Sequence, residues 1–440
     1  MKKLKLLIPF AAAFVISICS NFTQAQNVFY VDASTNYVLP SHFNPIPVGG
    51  DTIKIRSNRT ESLKFKGFTG LQDRPIVFIN DGGQVNIITN AWGALSFEDC
   101  KYIKISGKGD PTVYYGFKLQ GATSGLSFLE YSSNCEAEFI EIQGSATTFF
   151  GIYAKKDFSA NPPFPYPVFS SLCIHDTYIH DLAEGMYIGE TVSPGMEFKH
   201  LRIYNNVVVN TLRESVQIAN CVEDVEIYNN IFLNAGLENI YAQNNGLQIG
   251  NNSKAKVYNN LIINSPAFGI IVLGNQDISL NNNFIQTSQG IFIDDRYTVF
   301  PFIPFRIEEN LFSQINNTQI IENRNEFVEL FIKNNTYNQA IPFFKNSVST
   351  TGILELTGNQ ITEIPQFQFR LENGIFINSI TNPPIYQSIG PKTGLTHIFN
   401  QAPVIQPIED ILLIHSTSHT VNIQASATDF DILHFGSVNQ

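Results

Sequence analysis

Apolar residues alternate with polar ones in short runs along this chain, and between Leu201 and Arg296 those runs repeat as a phrase. "RIYNNVVVN" at Arg202–Asn210 returns as "EIYNNIFLN" at Glu226–Asn234, "KVYNNLIIN" at Lys256–Asn264 and "SLNNNFIQT" at Ser279–Thr287. Each phrase is followed by a second apolar stretch, beginning at Glu214, Asn245, Phe268 and Gln289. Within a phrase the apolar positions alternate, as Ile203, then Val207 and Val209, and Ile227, then Ile231 and Leu233. A period of two predicts strands, and the Val, Ile, Phe and Tyr content suits a pleated, half-buried surface.

The second Asn of each pair falls at Asn206, Asn230, Asn260 and Asn283, and weaker copies follow at Asn310, Asn335 and Asn359. The steps of 23 to 30 residues are too short for a unit to bury its own apolar face, so the units must stack. Stacked coils of two or three strands place each coil about 4.8 Å from the next. An Asn at the same phase of every coil predicts a ladder of amide hydrogen bonds at one corner, beyond the general preference of Asn for turns.

The first third reads as the same solenoid in looser phrasing: "VFYVDASTN" at Val28–Asn36, "GGDTIKI" at Gly49–Ile55, "RPIVFINDGGQVNI" at Arg74–Ile87, and rungs from Cys100 and Glu136. An open first coil exposes strand edges, so a cap is expected there. Two stretches break the rhythm. Lys155–Val168 carries Pro162, Pro163, Pro165 and Pro167, which exclude a central strand. Asp294–Phe305, "DDRYTVFPFIPF", is an aromatic excursion edged by charge. Insertions in a solenoid tend to project on one face and to shape a binding surface.

The repeated phrases resemble right-handed parallel β-helix proteins of the pectate-lyase-like superfamily, over roughly residues 28 to 395. The resemblance implies an all-β fold, a right-handed parallel β-helix solenoid spanning 27–395. "AEGMYIG" at Ala183–Gly189 and "NGLQIG" at Asn245–Gly250 are similar to phrases of exported β-helix proteins from polysaccharide-using bacteria. From Asn400, "NQAPVIQPIEDILL" and "VNIQASATDFD" resemble the start of an immunoglobulin-like or cadherin-like module. Such a sandwich needs ~100 residues, so 400–440 is expected to be a partial β-sandwich.

Residues 1–25 read as a secretory signal peptide: Lys2, Lys3 and Lys5, an apolar core from Leu6 to Ile18, and Thr23-Gln24-Ala25 before Gln26. The bulky Ile18 ahead of Cys19 argues against a lipidated cysteine. No other run is long and apolar enough to span a bilayer, so a secreted or cell-surface location in a bacterium is expected. Cleavage moves the formal net charge from −11 to −14. An acidic chain disfavours nucleic acid and anionic membranes as partners. It also disfavours ionic capture of an acidic polysaccharide unless a local basic patch or a bound cation intervenes. The remaining Cys100, Cys135, Cys173 and Cys221 form no CxxC pair, which argues against zinc and leaves small buried residues or a disulfide.

The candidate chemistry follows from aligning the second strands: Met186-Tyr187-Ile188, Val216-Gln217-Ile218, Leu247-Gln248-Ile249, Ile270-Ile271-Val272 and Ile291-Phe292-Ile293. With the flanking aliphatics inward, Tyr187, Gln217 and Gln248 form one exposed column, an aromatic beside two amides suited to a sugar ring and its hydroxyls. Glu184 and Glu214 align on one edge of it, Glu190, Asn220, Asn251 and Asp295 on the other. Stacked carboxylates repel, so one is expected to hold its proton or the pair to hold a cation, calcium being the fitting hard ion. A raised carboxylic acid serves as a general acid in glycan cleavage. Arg213 is the expected charge stabiliser, and Asp295 and Arg296 are expected to help hold substrate. His-Asp recurs five residues apart, at His175-Asp176 and His180-Asp181, but His175 aligns with Tyr204 and Asp176 with Asn205, so ordinary surface and ladder roles fit better.

The characteristic pectate lyase phrases and the polygalacturonase set are absent; Asp294-Asp295 alone is a weak match. Two readings stand: an exported protein that binds and cleaves a polysaccharide in a groove on one face, as a lyase or a glycoside hydrolase with no cofactor or with calcium, and a non-catalytic surface adhesin that holds glycan without cutting it.

Overall fold

The computed structural model of the 440-residue chain describes residues 26–145, 148–155, 166–191, 195–297, 303–348 and 352–362, with the backbone of four two-residue strands beyond them. The strands wind into three parallel sheets of 13, 12 and 11 strands, one strand per sheet per turn, so the coil makes about twelve turns. A turn runs through a first face, a corner, a third face, a second corner and a second face. In the turn that begins at Leu201 these strands are Leu201–Tyr204, Val207–Thr211 and Val216–Ala219.

Register is kept from turn to turn. Ile203 pairs with Ile227 and Ile227 with Val257 on the first face, Val208 with Phe232 and Phe232 with Ile262 on the third, Ile218 with Ile249 and Ile249 with Val272 on the second. These residues all lie in one continuous buried core. The third face departs from the expected alternation. Val208, not Val207 or Val209, faces the core. Val207, Val209, Ile231 and Leu233 form a separate buried cluster on its outer side, against which Tyr114 and Tyr115 pack. A run apolar at every position fits a face covered on both sides.

The two Asn residues of each phrase do different work. Asn205, Asn229, Asn259, Asn282 and Asn334 take φ of 52 to 54°, the left-handed region that Asn tolerates better than most residues. The second Asn, fully buried from Asn206 to Asn335 and partly exposed at Asn359, builds the expected ladder. The backbone N–H and Nδ2 of Asn206 both donate to Asn230 Oδ1 at 3.0 Å, and the same pair of bonds recurs through Asn260, Asn283, Asn310, Asn335 and Asn359. The Nδ2 groups also donate to a carbonyl of the preceding turn, Ile203 O for Asn230. Thr177 closes the top, its N–H and hydroxyl donating to Asn206 Oδ1 at 3.1 and 2.7 Å.

The early turns are filled differently. Phe65, Phe97 and Phe128 stack down the core at 5.3 and 5.9 Å, where later turns use Ile, Val and Leu. The expected cap is a loop: after the short 3-10 helix Pro40–His42, Phe43 lies against Phe29 and Phe68. Cys100, Cys135, Cys173 and Cys221 are free thiols. No helix among the described residues is long and apolar enough to cross a membrane. The expected signal peptide lies outside the described residues. So does nearly all of 400–440, where only Val404–Ile405 and Ala425–Ser426 are described, as an antiparallel pair; the expected sandwich is not shown.

Candidate functional site

The second face carries the site. Strands Glu184–Gly189, Val216–Ala219 and Leu247–Ile249 lie side by side with Tyr187 opposite Gln217 and Gln217 opposite Gln248, the column expected from the alignment. Met186 and Ile188, Val216 and Ile218, Leu247 and Ile249 point into the core, so the middle residues point out. The strand is drawn tight against its neighbours at Gly185, where an added Cβ would lie 2.2 Å from Ser215 O and 2.5 Å from Val208 Cγ1.

The column is not an open surface. It floors a cleft of about 430 Å³, and Gln217 and Gln248 are only 6% and 7% exposed. Aromatic walls enclose it: Phe149 and Phe150 from the turn before, Tyr241 and Tyr297 from beyond. Both rhythm-breaking excursions leave from this face, the first after strand Phe150–Ala154 and the second after strand Ile291–Ile293. Lys155, at the root of the first, donates to the Tyr187 hydroxyl at 3.1 Å and lies 4.3 Å from the ring centroid.

Glu184 lines this cleft, and Glu214 lies beside it in the next turn. Both were expected at an exposed edge, yet they are 3% and 0% exposed. Counted back by twos, Glu184 is in phase with the inward Met186 and Ile188, and Glu214 with Val216 and Ile218, so alternation itself puts both on the buried side. Asn245, one turn further, donates to Glu214 Oε1 at 3.1 Å. Glu184 Oε1, Glu214 Oε2 and Arg213 Nε are buried with no hydrogen-bond partner. Burial, aided by the charge of Glu214, pushes the Glu184 carboxyl well above the usual range. Burial likewise pushes Glu214 up to about 7, against the bonds from backbone and from Asn245 that favour its anion. A raised acid and an unsatisfied oxygen in a cleft mark a group able to hold and deliver a proton.

Arg213 lies 4.4 Å over the Phe149 ring, and its nearest carboxylate is Glu238 at 3.9 Å. Arg296 also lines the cleft, but its guanidinium is tied down by Asp294, with Nε to Oδ1 and Nη2 to Oδ2 both at 3.0 Å. Asp295, the expected partner in binding, is exposed and does not line the cleft. The chain bends here and turns Asp294 back, so the buried carboxylate is the first of the pair. On the far edge Glu190, Asn220 and Asn251 are buried. Beyond Gln248 the outward column becomes apolar: Ile271 and Phe292 join Leu273, Phe268 and Tyr297 in a small outer cluster.

Tyr241 escaped the sequence reading. It is 94% exposed at the cleft, on the loop after strand Ile231–Leu233, next to Ala242 at φ 66°. The signal was present as the step of 30 residues from Asn230 to Asn260, where the flanking steps are 24 and 23. The excess residues are this loop. Phe149-Phe150 could have been found from register, since Phe150 stands opposite Glu184.

The pair's donor set suits calcium poorly. The ion takes six to eight oxygens, whereas two free carboxylate oxygens are on offer here, and Arg213 and Lys155 lie within Coulombic reach. A separate acidic group, Glu136, Glu138 and His175, brings ligand atoms within 4.8 Å of one another. Lys104 already fills it, its Nζ donating to Glu136 at 2.6 Å and pairing with Glu138 at 2.9 Å. The His175 ring stacks on Tyr204 at 4.6 Å and continues into Tyr228 and Tyr258, the column that alignment placed it in, but it is buried there and not at the surface.

No family model matches the chain, and no curated protein matches it in sequence. Among solved structures it is similar to a GH136 lacto-N-biosidase from Eubacterium ramulus, with 10% identity, a TM-score of 0.48, and 76% of this chain and 68% of that one covered. It is similar to an alginate lyase from Paenibacillus sp. str. FPU-7 at 13% identity and a TM-score of 0.40, covering 72% of this chain and 98% of that one. The A-module of a mannuronan C-5 epimerase from Azotobacter vinelandii aligns at 15% identity with a TM-score of 0.34, over 72% of this chain and 92% of that module.

Proposed function

We propose that this is an exported bacterial protein that binds and cleaves a polysaccharide in the second-face cleft of a right-handed β-helix. The observation that carries the reading is the buried Glu184 carboxyl, with an unpartnered oxygen at the wall of a cleft floored by Tyr187, Gln217 and Gln248 and its affinity for a proton raised by that burial. Sugar rings lie against the aromatic walls and their hydroxyls meet the two amides. Glu184 gives its proton to the bridging oxygen as the glycosidic bond breaks. The carboxylate left behind is stabilised by Arg213 and Lys155. In hydrolysis it recovers a proton from the attacking water, and in elimination from the carbon acid of the sugar.

Glu214 acts through Glu184. Its charge one turn away keeps the neighbouring proton in place near neutral pH. A calcium ion between the two carboxylates is the competing role for the pair. With protonation in its place, chelator leaves activity unchanged.

The test is incubation of the purified protein with neutral and acidic glycans, with and without chelator. Release of reducing ends without unsaturated ends identifies hydrolysis; unsaturated ends identify elimination; loss of either with chelator assigns the pair to calcium. Glycan binding with no product from any polymer overturns cleavage and leaves a surface adhesin.

A further inference from the structure

The third face is apolar on its outer side as well as its inner one. Val207 and Val209, Ile231 and Leu233, Leu261 and Ile263 stand on that outer side in three successive turns, and all six are 3% exposed or less. Left bare, such a stripe is more than soluble monomers leave uncovered. Among the described residues, the apolar side chains that pack on it from outside the sheet are Tyr114 and Tyr115, on the loop between strands Lys101–Ser106 and Phe117–Gln120. Tyr115 stacks on Tyr178, one turn above Val207, so this loop accounts for the upper edge and leaves the three turns below to another element.

The chain leaves the coil from this same face, because Gln360–Ile361 is the last strand of the third sheet. An apolar alternation then resumes at Phe367, Phe369 and Leu371 and continues at Ile375 and Ile377, across Glu372-Asn373-Gly374, a hairpin loop ending on Gly. The backbone of Phe369–Arg370 pairs antiparallel with Phe376–Ile377, Phe369 opposite Ile377. That register puts the alternating apolar positions on one face of the hairpin. A two-stranded hairpin is marginal by itself and needs a surface to pack on.

The reach fits. Glu363 to Phe367, extended, spans about 16 Å, the height of about three turns, which carries the chain past Leu311 to the level of Phe284. A strand from Phe367 to Leu371 covers about as much again, over Leu261, Ile231 and Val207. The other apolar surface within reach is the open lower end of the coil, where Leu354, Leu356 and Ile361 continue the columns of Leu330, Ile332 and Tyr337. Those three are 40 to 56% exposed, so the apolar cover lies over the third face and not under the end. We propose that the hairpin at 367–377 folds back as a strap over the outer third face and buries the stripe from Val207 to Ile263. The chain beyond the strap is then carried on a different face from the cleft.

The test follows amide hydrogen exchange and association state in the full chain. The amides of 367–377 are expected to exchange at least about tenfold more slowly than an unstructured segment, at concentrations where the protein is monomeric. Leu233→Asp with Ile263→Asp should release that protection while the first-face amides of Ile203 and Ile227 keep theirs. Should that pair unfold the coil, Phe367→Asp with Phe369→Asp reads the same contact from the strap. It should free 367–377, raise the binding of an apolar dye severalfold and drive self-association through the bared stripe. Free exchange of 367–377 in the unmodified chain overturns the strap. So does protection that survives both pairs of substitutions, which puts the hairpin elsewhere, and so does protection lost on dilution as a dimer dissociates, which gives the stripe to a second copy.

Discussion

Two glutamate pairs lie in neighbouring turns of the same coil and meet opposite fates. Glu136 and Glu138 leave the first face beside Lys104 and His175, and each finds a cation within 3.0 Å. Hydrogen bonding to His175 and Lys104 outweighs burial and holds Glu136 down to about 2. Glu184 and Glu214 are more deeply buried, on the second face, with a single Asn as their side-chain hydrogen-bond donor. Burial there outweighs the charges of Arg213 and Lys155 at Glu184 and the backbone and Asn245 bonds at Glu214, and both carboxyls move up. The difference is one of depth and of partners together. A solenoid that pairs its acids wherever it can has left these two unpaired at the wall of a cleft, and that is where a proton can be stored.

Replacing one member of each pair breaks the comparison most sharply. Glu184→Gln should lower cleavage by about 10² to 10⁴-fold, the span of a lost general acid, with the fold intact because the amide carries no charge to bury. Glu136→Gln should leave the rate within a few-fold and lower the melting temperature instead, since Lys104 and His175 lose an anion. Rate and thermal unfolding measured on both variants decide it. A slow Glu136→Gln and a fully active Glu184→Gln would reverse the assignment.

The pH dependence of stability separates the pairs next. The Glu214 carboxyl is raised in the folded chain, from an ordinary 4.5 to about 7. The folded state therefore binds more protons than the unfolded state between those values, and stability falls as pH rises through them. For one such group the loss is roughly 3 kcal/mol. Glu136 runs the other way: its contribution is present above 4.5 and is lost as pH falls toward about 2. His175, raised from 6.5 to about 9 by hydrogen bonds to Asp176 and Glu136 that outweigh its burial, stabilises fully below 6.5 and loses that as pH passes 9. The three together place maximum stability near pH 4.5, with a fall from there to 7 as Glu214 ionises and a further fall toward 9 as His175 loses its proton. Denaturant unfolding across pH should show that maximum, and Glu214→Gln should flatten the slope between 4.5 and 7 alone.

Much of this was legible in the chain, for a physical reason. A coil of constant register turns equal spacing in sequence into contact in space, so Tyr187, Gln217 and Gln248 could be stacked from the aliphatics around them, and Asn206 to Asn359 from their own recurrence. What broke the period could not be placed that way. Tyr241 belongs to a loop whose length shows in the 30-residue step but whose path does not. Alternation puts Glu184 in phase with Met186 and Ile188, and Glu214 with Val216 and Ile218, so the burial of both was legible in the chain although an exposed edge is the reading their charge invites. Alternation says nothing of bends, so Asp295 was chosen where Asp294 is the residue that holds Arg296. On the third face a wholly apolar run hid which of Val207, Val208 and Val209 faces the core.

Within the second pair, Glu214→Gln tests how one acid tunes the other. The charge of Glu214 ranks just behind burial in raising Glu184. Without it the Glu184 proton is lost at lower pH, so the alkaline limb of the activity profile should move down while the maximal rate changes only a few-fold. A rate that collapses at every pH would instead make Glu214 a participant in bond breaking.

The smallest effect should come from Asn245, and it bears most directly on why the pairs differ. Its Nδ2 reaches Glu214 Oε1 at 3.1 Å and favours the anion, a weak version of what Lys104 does for Glu136. Asn245→Ala removes that bond and should raise the Glu214 carboxyl above 7 by roughly one unit, the equivalent of about 1.4 kcal/mol. Asn245→Lys places an ammonium there and should drive the same carboxyl down, imitating the first pair. Infrared difference titration of the carboxyl stretch reads both shifts directly. If partners set the fate of these acids, the two substitutions move Glu214 in opposite directions from one position. If depth alone set it, the ammonium would be the proton-deficient member and Glu214 would stay where burial put it.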